Sequence, residues 1–157
     1  LRLKTAAFIE CCCKVGAMIG GASETEEHAL ATYGNHLGLA FQLADDALDF
    51  SGDPLETGKT IGGDFREGCM TLPVIRARPH LSAEETRDVL AAFGAEPSDD
   101  TIAQIRDLLE RKGTIQEARA AAQAEAKAAV RALEPLRPST ARTQLEELAS
   151  FVARRGA

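Results

Sequence analysis

Three aspartates stand close together in a stretch that is otherwise almost entirely apolar. In FQLADDALDF, residues 41–50, the carboxylates are Asp45, Asp46 and Asp49, and Gln42 precedes them. Residues at i, i+3, i+4 and i+7 of an α-helix share a face, so these side chains would form one polar stripe. Like charges at this spacing repel, and a helix C-terminus disfavours carboxylates. The stripe therefore predicts a cation that offsets its charge.

Mg²⁺ is the cation that best fits the stripe, because it is a hard ion that prefers oxygen ligands and usually keeps its waters. An EF-hand calcium site is excluded, since no twelve-residue loop with a terminal glutamate follows Asp49. The alternative is a narrow acidic face in contact with solvent. Such a face would normally carry Lys or Glu partners at helical spacing, and this one has none. We predict a metal site at Asp45, Asp46 and Asp49.

A glycine-rich loop with one lysine, GDPLETGKTIGGDFREG, follows the stripe. Its TGKT sequence is similar to a P-loop, but the residue five before Gly58 is Asp53, and a helix precedes the loop instead of a strand. A P-loop nucleoside triphosphatase is thereby excluded. A glycine-rich backbone can still lie close to phosphate oxygens, and Lys59 can neutralise them. Beside a carboxylate-bound Mg²⁺ the loop predicts a diphosphate site; the alternative is a solvated loop with an incidental lysine.

The elements that would position these residues are helical. Serines that precede acidic residues or follow prolines indicate helix starts after Ser23, Ser82, Ser98 and Ser139. Together with the apolar periodicity, these signals predict helices near 1–20, 24–50, 71–79, 83–93, 99–112, 114–134 and 140–154. No convincing β alternation is present. The predicted class is all-α, and the length corresponds to one domain.

The composition excludes several functions. With 18 Lys and Arg against 24 Asp and Glu, the net charge of −6 argues against a nucleic-acid surface. The longest apolar runs are far shorter than the ~20 residues that span a bilayer, and no signal peptide is visible. The consecutive cysteines Cys11, Cys12 and Cys13 would point around a helix instead of at one metal. We expect buried free thiols in a cytoplasmic protein, not a disulfide or zinc site.

The motifs together resemble a known family. FQLADDALD, followed by GKTIGGDFREG and TLPVI, resembles the second aspartate-rich region of the trans-prenyl diphosphate synthases. Lys4 and Thr5 in LKTAAFIECC are similar to the Lys-Thr pair of that family's preceding helix. The GGDFREG and TLPVI variants are most similar to the bacterial long-chain branch, which makes the octaprenyl to decaprenyl tails of quinones. The resemblance extends over residues 1–157.

This resemblance implies the all-helical prenyltransferase (isoprenoid synthase) fold, with this chain as the C-terminal part of a single domain. It implies that Mg²⁺ ions bridge an allylic diphosphate to two aspartate-rich helices until the carbon–oxygen bond ionises. Isopentenyl diphosphate then adds to the allylic cation. The second metal cluster would be Asp45, Asp46 and Asp49. The residues that would contact the allylic diphosphate are Lys4, Thr5, Gln42 and Lys59, and Asp64 would order the loop.

Two departures from the family pattern accompany the resemblance. The family's first aspartate-rich motif and its isopentenyl diphosphate site are absent, and Asp99 and Asp100 are no substitute because they follow Ser98 as a first helical turn. Cys69 stands where the family commonly has a lysine. We therefore expect a half-site that is inactive alone, and a homodimer in the intact form. The alternatives are a non-catalytic partner subunit of a heteromeric synthase and a class I terpene cyclase.

Overall fold

The structure, a computed structural model, describes residues 5–51 and 61–155. The α-helices within these ranges are α1 (Ala7–Ile19), α2 (Glu24–Ser51), α3 (Gly63–Arg66), α4 (Leu72–Ala77), α5 (Ala83–Ala92), α6 (Asp99–Arg111), α7 (Thr114–Ala132) and α8 (Thr140–Arg154). A 3₁₀ turn, Arg78–His80, follows α4. Across these two ranges no β-strand is present, so the all-α prediction is confirmed.

The helix starts follow the capping signals of the sequence. The serines that accept a backbone amide from three residues ahead are Ser23, Ser82, Ser98 and Ser139. At α5 the capping box is complete, because Glu85 Oε2 accepts from the Ser82 amide at 2.7 Å. The prediction missed α3, a single helical turn inside the glycine-rich loop. It begins after Gly62, whose φ of 69° lies in the left-handed region that favours glycine.

The chain divides into two compact units, and α2 and α7 contribute residues to both. The first unit comprises residues 5–44 and 120–155. Its core is built from α2, α7 and α8 around the fully buried Tyr33 and Leu133. Tyr33 donates its hydroxyl to the carbonyl oxygen of Leu145 at 2.9 Å, which satisfies the polar end of the ring.

The second unit comprises residues 45–51 and 61–119. Its core contains residues of every helix in the unit and is centred on aromatic and aliphatic side chains, among them Phe50, Phe65, Val74, Ile102 and Leu109. Phe65 makes edge-to-face contacts with Phe50, at 6.0 Å between ring centroids, and with Phe93, at 5.3 Å. The aromatic contacts therefore join the last turn of α2 to α3 and to the end of α5.

Helices α1 and α2 approach each other closely at two glycines. A Cβ placed on Gly38 would lie 2.5 Å from the Cα of Ala6, and one on Gly34 would lie 2.8 Å from the carbonyl oxygen of Ile9. Only a residue without a side chain allows the two backbones to come so near. Beside this contact, Asn35 Nδ2 donates to Glu10 Oε2 at 2.6 Å.

The other side of α1 is apolar and exposed. Phe8 is 69 % exposed and Ile19 83 %, and Val15 and Met18 belong to the same exposed set. None of the described helices combines the length and hydrophobicity needed to cross a bilayer.

The expectation of buried thiols was wrong for three of the four cysteines. All four are free thiols, and Cys11, Cys12 and Cys69 are exposed, whereas Cys13 is half-buried. The reason is the face that α1 turns toward α2. Cys13 lies on that face, where its Sγ would be 2.9 Å from a Cβ on Gly34, whereas Cys11 and Cys12 lie outside it.

Replacing Gly38 with alanine should destabilise the chain by about 1–3 kcal/mol, because the new methyl group overlaps the backbone of α1. Gly16→Ala is the matched control, since a Cβ at that position would meet nothing within 4 Å and alanine favours a helix interior by about 0.5–1 kcal/mol. The free energy of unfolding is measured by urea denaturation with circular dichroism. Equal effects of the two substitutions would contradict the close approach at Gly38.

Candidate functional site

The aspartate stripe lies on the C-terminal turns of α2, among residues that are largely buried. Ala47 and Phe50 are fully buried, and Asp46 is only 3 % exposed. Asp45 and Asp49 are half-buried. A carboxylate as buried as that of Asp46 needs hydrogen-bond partners in the protein, because solvent cannot supply them. The alternative of a solvated acidic face is therefore not supported.

Asp46 holds the start of α4. Its Oδ2 accepts a hydrogen bond from the amide of Leu72, the first residue of that helix, at 3.0 Å. The N-cap residue Thr71 makes no side-chain cap of its own, so Asp46 supplies the acceptor from another helix. A negative charge at this end also complements the dipole of α4. The TLP sequence thus presents a backbone amide to the aspartate stripe.

Asp49 holds the start of α3 in a similar way. Its Oδ1 accepts from the amide of Asp64 at 3.0 Å, and its main-chain carbonyl accepts from the amide of Gly62 at 2.7 Å. The last turn of α2 and the GGD sequence are therefore joined through both a side chain and the main chain. The contact of Asp64 is made by its backbone amide, and the loop-ordering role that the resemblance implies for its side chain stays a prediction.

The second carboxylate oxygen of Asp49, Oδ2, is one of four buried side-chain atoms without a hydrogen-bond partner among the described residues, and the only carboxylate oxygen of the four. The pKa of Asp49 is raised to about 6, chiefly by burial. The charges of Asp64 and Asp45 add to this increase, and hydrogen bonds from the amides of Asp64 and Phe65 oppose it. An ionised carboxylate with one buried, unpaired oxygen is costly, and a bound cation would remove that cost.

The described carboxylates do not form a complete protein cage for a metal. Within residues 5–51 and 61–155 there is no group of three or more His, Cys, Asp or Glu side chains that could hold an ion. Asp46 and Asp49 each direct one oxygen to a backbone amide. Mg²⁺ usually binds through one or two carboxylates and completes its shell with water and substrate phosphates. The buried Oδ2 of Asp49 is a carboxylate oxygen that could serve a metal of that kind.

Two further predicted site residues, 37 positions apart, meet in the first unit. Thr5 Oγ1 donates to Gln42 Oε1 at 3.0 Å. This bond fixes which end of the Gln42 amide faces Thr5, and the other end is an NH₂ group that can only donate. Lys4 and Lys59 lie outside the described residues, and their roles stay predictions.

Sequence reasoning missed two groups around the stripe, the amide of Leu72 and the guanidinium of Arg66. A backbone amide carries no residue-type signal, and only the proline that follows Leu72 marks the start of α4. Arg66 stands in the GGDFREG motif, but two of the three residues that it contacts, Pro97 and Asp99, lie more than 30 positions further along the chain.

Replacing Asp46 with alanine should lower the free energy of unfolding by about 1–3 kcal/mol, because the amide of Leu72 loses its acceptor. Asp46→Asn keeps an acceptor oxygen in nearly the same shape and should cost less. Both are measured by urea denaturation at neutral pH with a chelator present, so that no metal contributes. If alanine costs no more than asparagine, the capping role of Asp46 is wrong.

Known proteins are similar to this chain in sequence. The sequence model of the family described as Polyprenyl synthetase matches residues 1–111. A short chain isoprenyl diphosphate synthase from Methanothermobacter thermautotrophicus is 38% identical over 152 residues, which cover 97% of this chain and 46% of that protein. Heptaprenyl diphosphate synthase component 2 of Geobacillus stearothermophilus is 34% identical over 155 residues, covering 99% and 48%. The chain thus spans about half the length of the curated relatives it matches.

Solved structures share the fold. A decaprenyl diphosphate synthase from Rhodobacter capsulatus has a TM-score of 0.90 and 36% identity, over 99% of this chain and 48% of that one. A polyprenyl synthase from Caulobacter crescentus, solved with calcium and isoprenyl diphosphate, has a TM-score of 0.90 and 36% identity, over 98% and 47%. The predicted resemblance, to the C-terminal half of such proteins, is confirmed. The chain belongs to the polyprenyl synthetase family.

Proposed function

We propose that this chain is part of a metal-dependent trans-polyprenyl diphosphate synthase and supplies the second aspartate-rich half of its active site. One observation carries the proposal: a chain of this family has a buried carboxylate oxygen, Asp49 Oδ2, without a hydrogen-bond partner among the described residues. Its relatives are named as prenyl diphosphate synthases, and one solved relative holds calcium and isoprenyl diphosphate. A divalent cation bound at Asp49 would give the buried oxygen a partner and would agree with the calcium found in that relative.

The proposed reaction joins two prenyl diphosphates. The carbon–oxygen bond of the allylic diphosphate breaks, and its electron pair leaves with the diphosphate. The double bond of isopentenyl diphosphate then attacks the allylic carbon, and a proton is lost from the adduct. Bound Mg²⁺ would neutralise the negative charge that develops on the leaving diphosphate.

The chain's own residues have distinct proposed roles. Asp45 and Asp49 hold the metal, and Asp46 fixes α4 through the amide of Leu72. The resemblance implies that the first aspartate of such a trio, Asp45, holds the metal directly and that Asp46 and Asp49 act partly through water. Donation to the diphosphate oxygens is assigned by the same resemblance to Lys4, Thr5, Gln42 and Lys59, and Asp64 is assigned to the substrate site as the residue that orders the loop.

The exposed face of α1 supports the half-site. Phe8, Val15 and Ile19 recur at helical spacing and remain exposed, which is unusual for an apolar face of this extent. The relatives are about twice as long as this chain. We propose that helices of the N-terminal half of the family's domain cover this face and bring the first aspartate-rich motif and the isopentenyl diphosphate site.

The finer assignments rest on sequence motifs. The relatives range from a short-chain to a decaprenyl synthase, so the family by itself does not give the product length. A long-chain product for a quinone side chain is proposed from GGDFREG and TLPVI. Mg²⁺ as the metal, the homodimer and the cytoplasmic location remain predictions.

A second candidate is a non-catalytic subunit of a two-component synthase. The relative from Geobacillus stearothermophilus is named component 2 of its synthase, which is consistent with an assembly of two components. Cys69, exposed and in a position where the family commonly has a lysine, is consistent with it.

The test is incorporation of labelled isopentenyl diphosphate into extractable product, with farnesyl diphosphate and Mg²⁺ present. This chain alone should give no product, and activity should appear when the N-terminal half of the Rhodobacter capsulatus relative is added as a separate chain. In the complemented enzyme Asp45→Asn should lower the rate by about a hundredfold or more, because it removes a charge that holds the metal. Asp100→Asn, which removes a carboxylate from the first turn of α6, is the matched control.

The outcomes separate the two candidates. Product from this chain alone would overturn the half-site. No product after complementation, with association of the halves shown by size-exclusion chromatography, would favour the non-catalytic subunit.

A further inference from the structure

Arg66, the last residue of α3, contacts three acceptors in two other segments of the second unit. Its Nε donates to the carbonyl oxygen of Ile61 at 3.4 Å. One terminal nitrogen donates to the carbonyl oxygen of Pro97, and the other to Asp99 Oδ1 at 2.6 Å. The side chain of Arg66 is only 22 % exposed, so its polar contacts are mainly with these acceptors and little with solvent.

The rest of α3 is attached to the same region. The amide of Gly94 donates to the carbonyl oxygen of Phe65 at 3.1 Å. A Cβ on Gly62 would lie 3.0 Å from two carbons of Ile102, so the loop backbone rests directly on α6. The connection between α5 and α6, residues 93–98, therefore serves as the support for α3.

The opposite side of α3 carries the contacts to Asp49. The amides of Gly62 and Asp64 donate to its carbonyl and to its carboxylate. A helix of four residues has no stability of its own, because helix nucleation is unfavourable. The position of these amides thus depends on the contacts that attach α3 to the α5–α6 connection. The orientation of the Asp49 carboxylate depends on the same contacts.

We propose that Arg66 is a positioning residue for the carboxylate of Asp49. By fixing α3 to the α5–α6 connection, it keeps the Asp64 amide on Oδ1 and leaves Oδ2 as the oxygen directed to a metal. The structural part of this inference stands on the contacts alone, and its catalytic consequence rests on the proposed function.

The guanidinium is suited to this role in a way that a lysine is not. Its planar fork presents donors in several fixed directions, which allows one side chain to serve three acceptors. Asp99 is 93 % exposed, and an ion pair so accessible to solvent contributes little. The part-buried carbonyl contacts therefore contribute more than the ion pair, and the loss of Asp99 should matter less than the loss of Arg66.

Amide hydrogen exchange on the full 157-residue chain tests the attachment without any assay of activity. In Arg66→Met the amides of Gly62 and Asp64 should exchange about tenfold faster, which corresponds to about 1.4 kcal/mol. Arg66→Lys should restore only part of the protection. Asp99→Asn should give about a twofold change, and Asp100→Asn, its neighbour on the same helical turn, none.

Val89→Ala is the control for general destabilisation, because Val89 is a buried core residue of α5 and takes no part in the hydrogen bonds of Arg66. It should accelerate exchange throughout the unit, without a selective effect on α3. If the Asp64 amide in Arg66→Met exchanges at the wild-type rate, or accelerates no more than the amides of α5 and α6, the proposal is overturned.

The catalytic consequence is measured in the complemented enzyme as the Mg²⁺ concentration that gives half-maximal rate. It should rise about tenfold in Arg66→Met, by the same energy as the lost protection, and stay unchanged in Val89→Ala. Inactive wild-type enzyme together with selectively faster exchange in Arg66→Met would contradict the proposed function and support the positioning role of Arg66. Active wild-type enzyme with an unchanged Mg²⁺ requirement in Arg66→Met would overturn the consequence for Asp49.

Discussion

The second unit depends on two carboxylates at the end of α2 that accept the first amides of the next two helices. Asp49 accepts from Asp64 at the start of α3, and Asp46 accepts from Leu72 at the start of α4. A carboxylate is disfavoured at the C-terminal end of its own helix, but it is favoured at the N-terminal end of another. The electrostatic cost that these aspartates impose on α2 is thus partly offset by α3 and α4.

This division of roles changes how the acidic stripe is understood. From the sequence, the whole repulsion among three aspartates required a cation. In the structure, backbone amides satisfy one oxygen each of Asp46 and Asp49, and the buried Oδ2 of Asp49 has no hydrogen-bond partner among the described residues. A metal with few protein ligands keeps coordination positions for a diphosphate, which suits an ion that binds together with its substrate.

The close approach of α1 and α2 has an equally direct consequence for the first unit. Ala6 contacts Gly38, and the residue before Ala6 is Thr5, whose hydroxyl reaches Gln42 one helical turn beyond Gly38. A larger residue at position 38 would separate the helices and lengthen that hydrogen bond. A backbone contact between two small residues therefore sets the distance between two polar side chains of the proposed site.

The sequence by itself determined the helical class, most helix boundaries and the residue types of the site, because capping serines, apolar periodicity and i, i+3, i+4 spacing are local signals. It did not determine α3, the exposure of Cys11 and Cys12, or the partners of Asp46 and Asp49. Those depend on contacts between segments far apart in the chain, such as Arg66 with Pro97. Only the tertiary structure decided which carboxylate oxygens bind amides and which is left without such a partner, since that requires the positions of backbone groups that no residue type encodes.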